Sequence, residues 1–419
     1  MCQHSAKQDT KPRILILAAA NISTCPRAMR MVEILKDDYD VSVMGIDSEN
    51  GTPMPPVAVQ NGGGGSYNLK SFSYPTYKKR NVWQELVLWC NVALRRWDKL
   101  SFIANRLVII EHLCKYSYDI VICHDLLLLP VLFMGLEKSG HKCGKKGDTK
   151  VVFDAREFYP LQNTSSLRWQ LLFKRFNTYL CATYAPKVDS MFSVSPAFCD
   201  MYKKHFGLNA QLLMSLPPFY NLSPTQVDAK NIKILYHGAL NRNRDIDKVI
   251  EICQWLDERF CIDFIFTGGE RTFAQKIESR IKELQSQGKK IRLLPPVDLE
   301  QIVPFGNSYD IGLLYIPPHN HNLLLTLPNK FFEYIQSRLA LLIPPLTQIM
   351  PFVQKYDNAI IARDFEIRSL ADVLCSLNAK EIMCYKQNSI KAAQELNLSA
   401  NVPIVHNCIK SLLHDTYDF

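Results

Sequence analysis

Short apolar runs alternate with segments of helical periodicity along almost the whole chain. In the first half the runs Arg13–Ala19, Val41–Ile46, Ile120–Cys123, Lys150–Asp154 and Ser190–Val194 read as strands. Between them the spacing predicts helices over Pro26–Lys36, Val82–Lys115, Leu126–Lys138 and Leu167–Ala185. A further helix follows Ser195-Pro196, a pair suited to the N-cap and first helical position. The pattern restarts after the Pro-rich stretch Leu216–Pro224, with strands over Ile232–Tyr236, Asp263–Thr267, Ile291–Leu294, Asp310–Tyr315 and Ala340–Ile343. Strands that are apolar throughout, separated by helices, imply parallel sheets covered on both faces. The expected fold is therefore α/β, two doubly wound Rossmann-like domains facing a cleft. Residues 1–220 make the first domain and 221–400 the second, and residues 401–419 are a C-terminal helix packing back toward the first. Ligands of such folds bind beyond the carboxyl ends of the strands, which directs attention to the strand-to-helix loops.

At 419 residues the chain exceeds what one hydrophobic core supports, in keeping with two domains. Its longest apolar run, Leu126–Leu136, contains Pro130 and is too short to span a bilayer. No small-residue cleavage site follows the apolar Ile14–Ala20, so a signal peptide is not expected. Thirteen cysteines without a CxxC pair suggest reduced thiols in a cytoplasmic protein. The formal charge of +9 is unevenly placed: residues 1–220 hold 27 Lys+Arg against 18 Asp+Glu, and the remainder holds 22 of each. A basic first half suits anionic lipid or a phosphorylated acceptor, while no recognition motif points to nucleic acid. Basic residues (the Tyr77–Arg80 run, Arg95, Arg96, Lys99, Arg106) accompany an apolar stripe of Trp83, Leu86, Cys90, Ala93 and Trp97. Such a stripe is more often core than lipid contact, and peripheral contact with an anionic membrane is the competing expectation.

The first strand-to-helix loop, Ala20–Arg27, has no glycine, so the dinucleotide cradle GxGxxG is absent, and Gly62–Gly65 lie too far from a strand end to replace it. Ser23 or Thr24 can cap the helix near Pro26, with Arg27 and Arg30 a buried arginine pair. His124-Asp125 and Asp154-Ala-Arg156-Glu157 end neighbouring strands, where buried charge is costly unless it has a use. In the second half, Arg242 and Arg244 lie in a loop after His237-Gly238 that opens a helix, suiting a diphosphate. Asp245 or Asp247 can cap that helix, which disfavours reading their Asp-x-Asp spacing as chelation. His319-Asn-His321 lacks a third ligand nearby, so no metal is expected. Gly268-Gly269 would admit a ligand close to the backbone. After Pro328, Asn329, Lys330 and Glu333 fall on the first turns of a helix, where a carboxylate can accept two ribose hydroxyls while Lys330 faces phosphate.

In this order the segments resemble glycosyltransferase family 4, retaining nucleotide-sugar enzymes of the GT-B fold and here of the bacterial surface-polysaccharide type. Thr24-Cys-Pro-Arg-Ala-Met-Arg30 looks like "DPRVxR", Ile122-Cys-His-Asp125 like "HAHD", and Phe153-Asp-Ala-Arg-Glu157 like "YDAHE". Tyr236-His-Gly-Ala-Leu240 through Arg244 looks like "YxGxLxxxRGL", and Pro328-Asn-Lys-Phe-Phe-Glu-Tyr334 like "SPNKLFEYM". The resemblance spans roughly residues 13–400. It implies an acceptor-binding first domain and a donor-binding second domain. Catalytic roles fall to His124, Arg244, Lys330 and Glu333, and donor contacts to Gly238, Arg242, Gly268, Gly269 and Asn329. Arg27, Asp125, Arg156 and Glu157 become the acceptor side. Glu333 would take the donor ribose, Arg244 and Lys330 the diphosphate. Three departures stand out: Leu325 where the family's Glu-x7-Glu pair begins, Ala239 where many members carry arginine, and Arg156 for a histidine.

Without a carboxylate nucleophile, the implied reaction is a front-face displacement with retention and no cofactor, the acceptor proton passing to a donor phosphate oxygen. The expected partners are a nucleotide-sugar donor and a glycan or lipid-linked acceptor on the cytoplasmic side of the membrane. Two alternatives stay open: a nucleotide-sugar epimerase of the same fold, and a non-catalytic homologue partnering an active transferase.

Overall fold

The computed structural model describes residues 11–47, 53–60, 66–77, 80–140 and 148–417. Gly62–Gly65, Lys78-Lys79 and most of the Lys/Gly connector after Lys138 lie outside the described residues. In chain order the strands are β1 Arg13–Leu17, β2 Asp40–Ile46, β3 Ala58–Gln60, β4 Ser66–Asn68, β5 Lys70–Tyr74, β6 Ile120–Cys123, β7 Lys150–Ala155, β8 Ser190–Ser193 and β9 Gln211–Leu212. The second half adds β10 Ile232–Ala239, β11 Phe260–Thr267, β12 Ile291–Leu294, β13 Ile311–Leu313, β14 Ala340–Ile343 and β15 Ala359–Ile361.

Two parallel sheets result. The first has the order β5-β2-β1-β6-β7-β8-β9 and the second β12-β11-β10-β13-β14-β15; β3 and β4 form a separate antiparallel pair. Both are doubly wound from a first strand flanked by the third-to-second strands on one side and the fourth onward on the other. The direction of winding reverses between β1 and β6, and between β10 and β13, and it is at such switch points that doubly wound folds bind ligands. Apolar residues fully removed from water, such as Ile14, Leu15, Ile16 and Leu17 on β1, face helices on both sides. Helix Val402–Tyr417 packs on the first sheet's core, where Val405, Cys408, Ile409 and Leu412 join Ile16, Met31 and Val43.

Several local expectations are corrected. The region 82–115 is three helices, Val82–Ala93, Trp97–Ser101 and Ala104–Lys115. The first ends where Arg95 adopts φ +52 and Arg96 N–H returns to the Asn91 carbonyl at 2.8 Å, a left-handed helix stop made without glycine. The stripe of Trp83, Leu86, Cys90 and Ala93 is exposed and not core; Trp97 alone is covered, against Phe176 and Tyr179. Cys25 precedes the Pro26–Leu35 helix and no side chain caps it; Asn21 instead caps the turn Ile22–Thr24. Asp245 sits at φ +49 without a capping bond, its carboxylate taken by Lys248 at 3.0 Å.

Candidate functional site

The second domain's site is assembled by one aromatic ring. Tyr334, on helix Asn329–Gln336, places its hydroxyl between β10 and β13: it accepts from His237 N–H at 3.2 Å and lies 3.2 Å from the Leu235 and 3.3 Å from the Leu313 carbonyl. Gly312 makes this possible, because a Cβ there would fall inside the Tyr334 ring. The helix is thereby fixed at the switch point with Asn329, Lys330 and Glu333 at its first turns. Gly238 matters equally. With φ +141 and no side chain, it leaves the space that Lys330 occupies; an added Cβ would come within 2.7 Å of Nζ.

Lys330 Nζ lies 3.9 Å from the centre of the Tyr236 ring, and neither it nor the Arg244 guanidinium has a hydrogen bond or ion pair among the described residues. Burial, and then the charge of Arg244, hold the Lys330 ammonium well below its usual range. Burial lowers Arg244 too, against the opposing pull of Tyr236 and Glu157. Two partly buried cations with no directly paired carboxylate are costly in the free protein, and an anion entering between them would offset that cost. The Glu333 carboxyl is raised by burial, against the opposing charges of Arg30 and Lys330. His237 Nε2 lies 3.7 Å from Glu333, and burial pushes this imidazole down to about 3, so it is neutral.

Across the cleft the charges are matched. Arg27 grips Asp154 through two bonds of 2.6 and 2.5 Å, and His124 Nδ1 lies 2.8 Å from the same carboxylate. Burial alone would raise Asp154, but Arg27 and His124 outweigh it and hold the carboxyl well below the usual range. His124 is fully buried, and its Nε2 has no hydrogen-bond partner among the described residues. Asp125 accepts from Ala19 N–H at 2.7 Å and pairs with Arg156. Glu157 accepts from Gln162 at 2.6 Å and, across the cleft, from Asn322 at 3.2 Å; burial raises its carboxyl to about 7 against the pull of Arg156.

The structure thus brings Arg244, Lys330, Glu333 and Asn329 together on one face, and His124, Arg27, Asp125, Arg156 and Glu157 on the other. Arg242 stands apart: it is exposed, stacked on Phe273 and paired with Glu270 at 3.3 Å. The second-domain glycine loop uses backbone that only glycine adopts at no cost, with Gly268 at φ +60 and Gly269 at φ +100, and a Cβ on Gly269 would collide with Leu240. Leu325 packs against the first-domain core while its carbonyl accepts from Ser195 at 2.7 Å. Sequence reading left out Arg30, His237 and Asn322 as site residues. Arg30 crosses the cleft to Glu333 at 3.3 Å and Asn329 at 3.4 Å, 303 positions away in the case of Glu333. Its place in an "R-x-x-R" spacing with Arg27 was the signal available. Among the described residues no group of three or more His, Cys, Asp or Glu is arranged to hold a metal ion.

No protein-family model and no curated protein sequence matches the chain. Solved structures do. Sucrose-phosphate synthase from Thermosynechococcus elongatus superposes with a TM-score of 0.68 at 11% identity, covering 96% of this chain and 100% of its own. HepE from Anabaena, solved with UDP and glucose, gives 0.66 at 11% identity with the same coverage. An α,α-trehalose 6-phosphate synthase from Burkholderia multivorans gives 0.61 at 12% identity, covering 97% and 99%. At such identities the likeness defines the fold: GT-B, two Rossmann-like domains over the full length of the chain.

Proposed function

We propose that the chain is a retaining glycosyltransferase that moves a sugar from a nucleotide-sugar donor to an acceptor held by the first domain, in glycan or glycoconjugate assembly. The observation that carries this reading is the pair of unmatched cations, Arg244 and Lys330, beside Glu333 at the β10/β13 switch point. A nucleoside diphosphate supplies the counter-charge they lack and a ribose for the carboxylate. The GT-B neighbours add support, since HepE was solved with UDP-glucose and a synthase from Burkholderia xenovorans with glucose-6-phosphate.

In this reading the acceptor oxygen attacks the anomeric carbon on the face the diphosphate leaves. The bond from that carbon to the diphosphate oxygen breaks, and the acceptor proton passes to a departing phosphate oxygen. Arg244 and Lys330 stabilise charge that grows as the bond breaks, which is where electrostatic preorganisation contributes most. His124 Nε2, buried and unpartnered, is the polar atom on the acceptor side left to hydrogen-bond a sugar or acceptor hydroxyl. No metal is assigned a step.

A thermal-shift screen of UDP, GDP, dTDP, CMP and ADP identifies the donor class. With the matching donor, Arg244→Ala should lower kcat more than it raises KM, because Arg244 meets more charge in the transition state than in the ground state. Wild-type kcat in that variant removes Arg244 from the diphosphate. Donor conversion without any acceptor would instead favour an epimerase, and nucleotide binding without turnover a non-catalytic homologue.

A further inference from the structure

The helix Val82–Ala93 has too little protein beneath it. Leu88 is its one buried residue, with Glu85, Asn91 and Val92 half-buried along the same inward strip. The rest of the helix is apolar and bare: Val82 is 76% exposed, Trp83 77%, Leu86 51%, Val87 57% and Trp89 40%, and Leu94 just beyond it 61%. Leu167 and Leu171, 70% and 53% exposed, belong to the neighbouring helical stretch, which Arg168 ties to this one by pairing with Glu85 at 2.6 Å. Single exposed apolar residues are ordinary, but eight gathered on two adjoining helices are not.

From this geometry we propose that the face formed by Val82–Leu94 and Leu167–Leu171 docks on an anionic lipid surface. Charge complementarity selects that occupant. The segments 80–99 and 166–175 carry Arg80, Arg95, Arg96, Lys99, Arg168, Lys174 and Arg175 against Glu85 and Asp98 alone. All seven basic residues are exposed, and two of them, Arg80 and Arg168, share Glu85. An apolar surface bearing two tryptophans and rimmed by guanidinium groups matches the boundary between acyl chains and acidic headgroups. No helix among the described residues is long and apolar enough to cross a membrane, so the contact is one of lying on the surface.

The face also adjoins the cleft. The loop that leads into the second helical stretch carries Glu157 and Asn163, and Asn163 lies 3.4 Å from Asn243 of the second domain. A chain docked this way holds the acceptor side of its cleft next to the headgroups, which specifies an acceptor anchored in the lipid. That last step rests on the proposed sugar transfer; the docking itself does not.

The test is co-sedimentation of the full chain with vesicles of phosphatidylcholine alone and of equimolar phosphatidylcholine and phosphatidylglycerol. The expected result is recovery with the mixed vesicles only, declining as salt rises, as screening requires. A Trp83→Ser, Leu86→Ser, Leu167→Ser variant should lose on the order of tenfold in bound fraction, with its circular dichroism and thermal midpoint unchanged because all three side chains are exposed. Nucleotide-induced thermal shifts in the same variant should match wild type, so failure of the transferase reading and failure of docking register separately. Wild-type protein left in the supernatant with both vesicle types overturns the proposal. So does undiminished binding by the triple variant, or a concentration-dependent dimer that the variant abolishes, which would assign the face to a second copy.

Discussion

The two walls of the cleft handle buried charge in opposite ways. On the first-domain wall every carboxylate at the strand ends has a cation or a donor: Asp154 has Arg27 and His124, Asp125 has Arg156, Glu157 has Gln162 and Asn322. On the second-domain wall Arg244 and Lys330 stand side by side and neither is ion-paired among the described residues; Glu157 and Glu333 act on them only at longer range, and Glu333 is engaged from across the cleft by Arg30. A matched wall is finished before any ligand arrives and serves to hold shape. An unmatched wall is unfinished, and on the proposed reading the charge that completes it is the donor diphosphate. On the same reading the first-domain wall is preorganised to hold its shape around an acceptor.

Removing Arg27 gives the largest expected effect. Arg27→Met leaves Asp154 in a dry site with His124 as its one remaining partner, and breaking one partner of a buried pair costs about 3–5 kcal/mol. Urea unfolding should show that loss in full. An effect below about 1 kcal/mol would mean that water reaches Asp154 and that the wall is not preorganised.

On the other wall the sign should reverse. Lys330→Met keeps the apolar stem and removes an uncompensated cation, so the unfolding midpoint should hold or rise. Affinity for the matching nucleoside diphosphate should drop by about 1.5–3 kcal/mol, the worth of a charged hydrogen bond, measured by titration calorimetry. A variant that is destabilised and still binds at wild-type affinity would erase the distinction between the walls.

What the sequence discloses follows the same division. The ten apolar runs all appear as strands, because a parallel strand buried on both faces has no polar alternation to confuse it. The edge strand β5 (Lys-Ser-Phe-Ser-Tyr), the short β9 and β15, and the small pair β3–β4 are not among those runs, as their pairing is set by neighbours and not by composition. The helix break at Arg95 was invisible for a different reason: its φ of +52 falls on a residue with no preference for it. Motif order located both walls, since strand ends and helix starts are local features. Pairing between them is not local. Nothing near Asp154 in the chain indicates Arg27, 127 positions away, and nothing near Glu333 indicates Arg30. The exposed stripe shows the limit of periodicity, which marks an apolar helix face but not whether protein covers it.

The smallest expected effect distinguishes the walls by pH. Glu157, on the first-domain wall, keeps its proton up to about 7 in the folded chain, against an ordinary value of 4.5. Between those values the folded state holds more protons than the unfolded state, so this group makes stability fall as pH rises through the window. His237, on the second-domain wall, is neutral down to about 3 against an ordinary 6.5. There the unfolded state holds more protons, so its contribution rises with pH and is lost as pH falls through the window. The two slopes oppose each other where the windows overlap. Glu157→Gln removes the falling slope and keeps one carbonyl oxygen to accept from Gln162 or Asn322, so the variant should gain stability relative to wild type from about pH 5 to about pH 7.5. The gain should be on the order of 1–2 kcal/mol, below the full value of the shift because Glu157 is partly exposed. Urea midpoints for wild type and variant across that range make the measurement. Parallel curves would show that Glu157 ionises at its ordinary value, with water reaching it through the cleft.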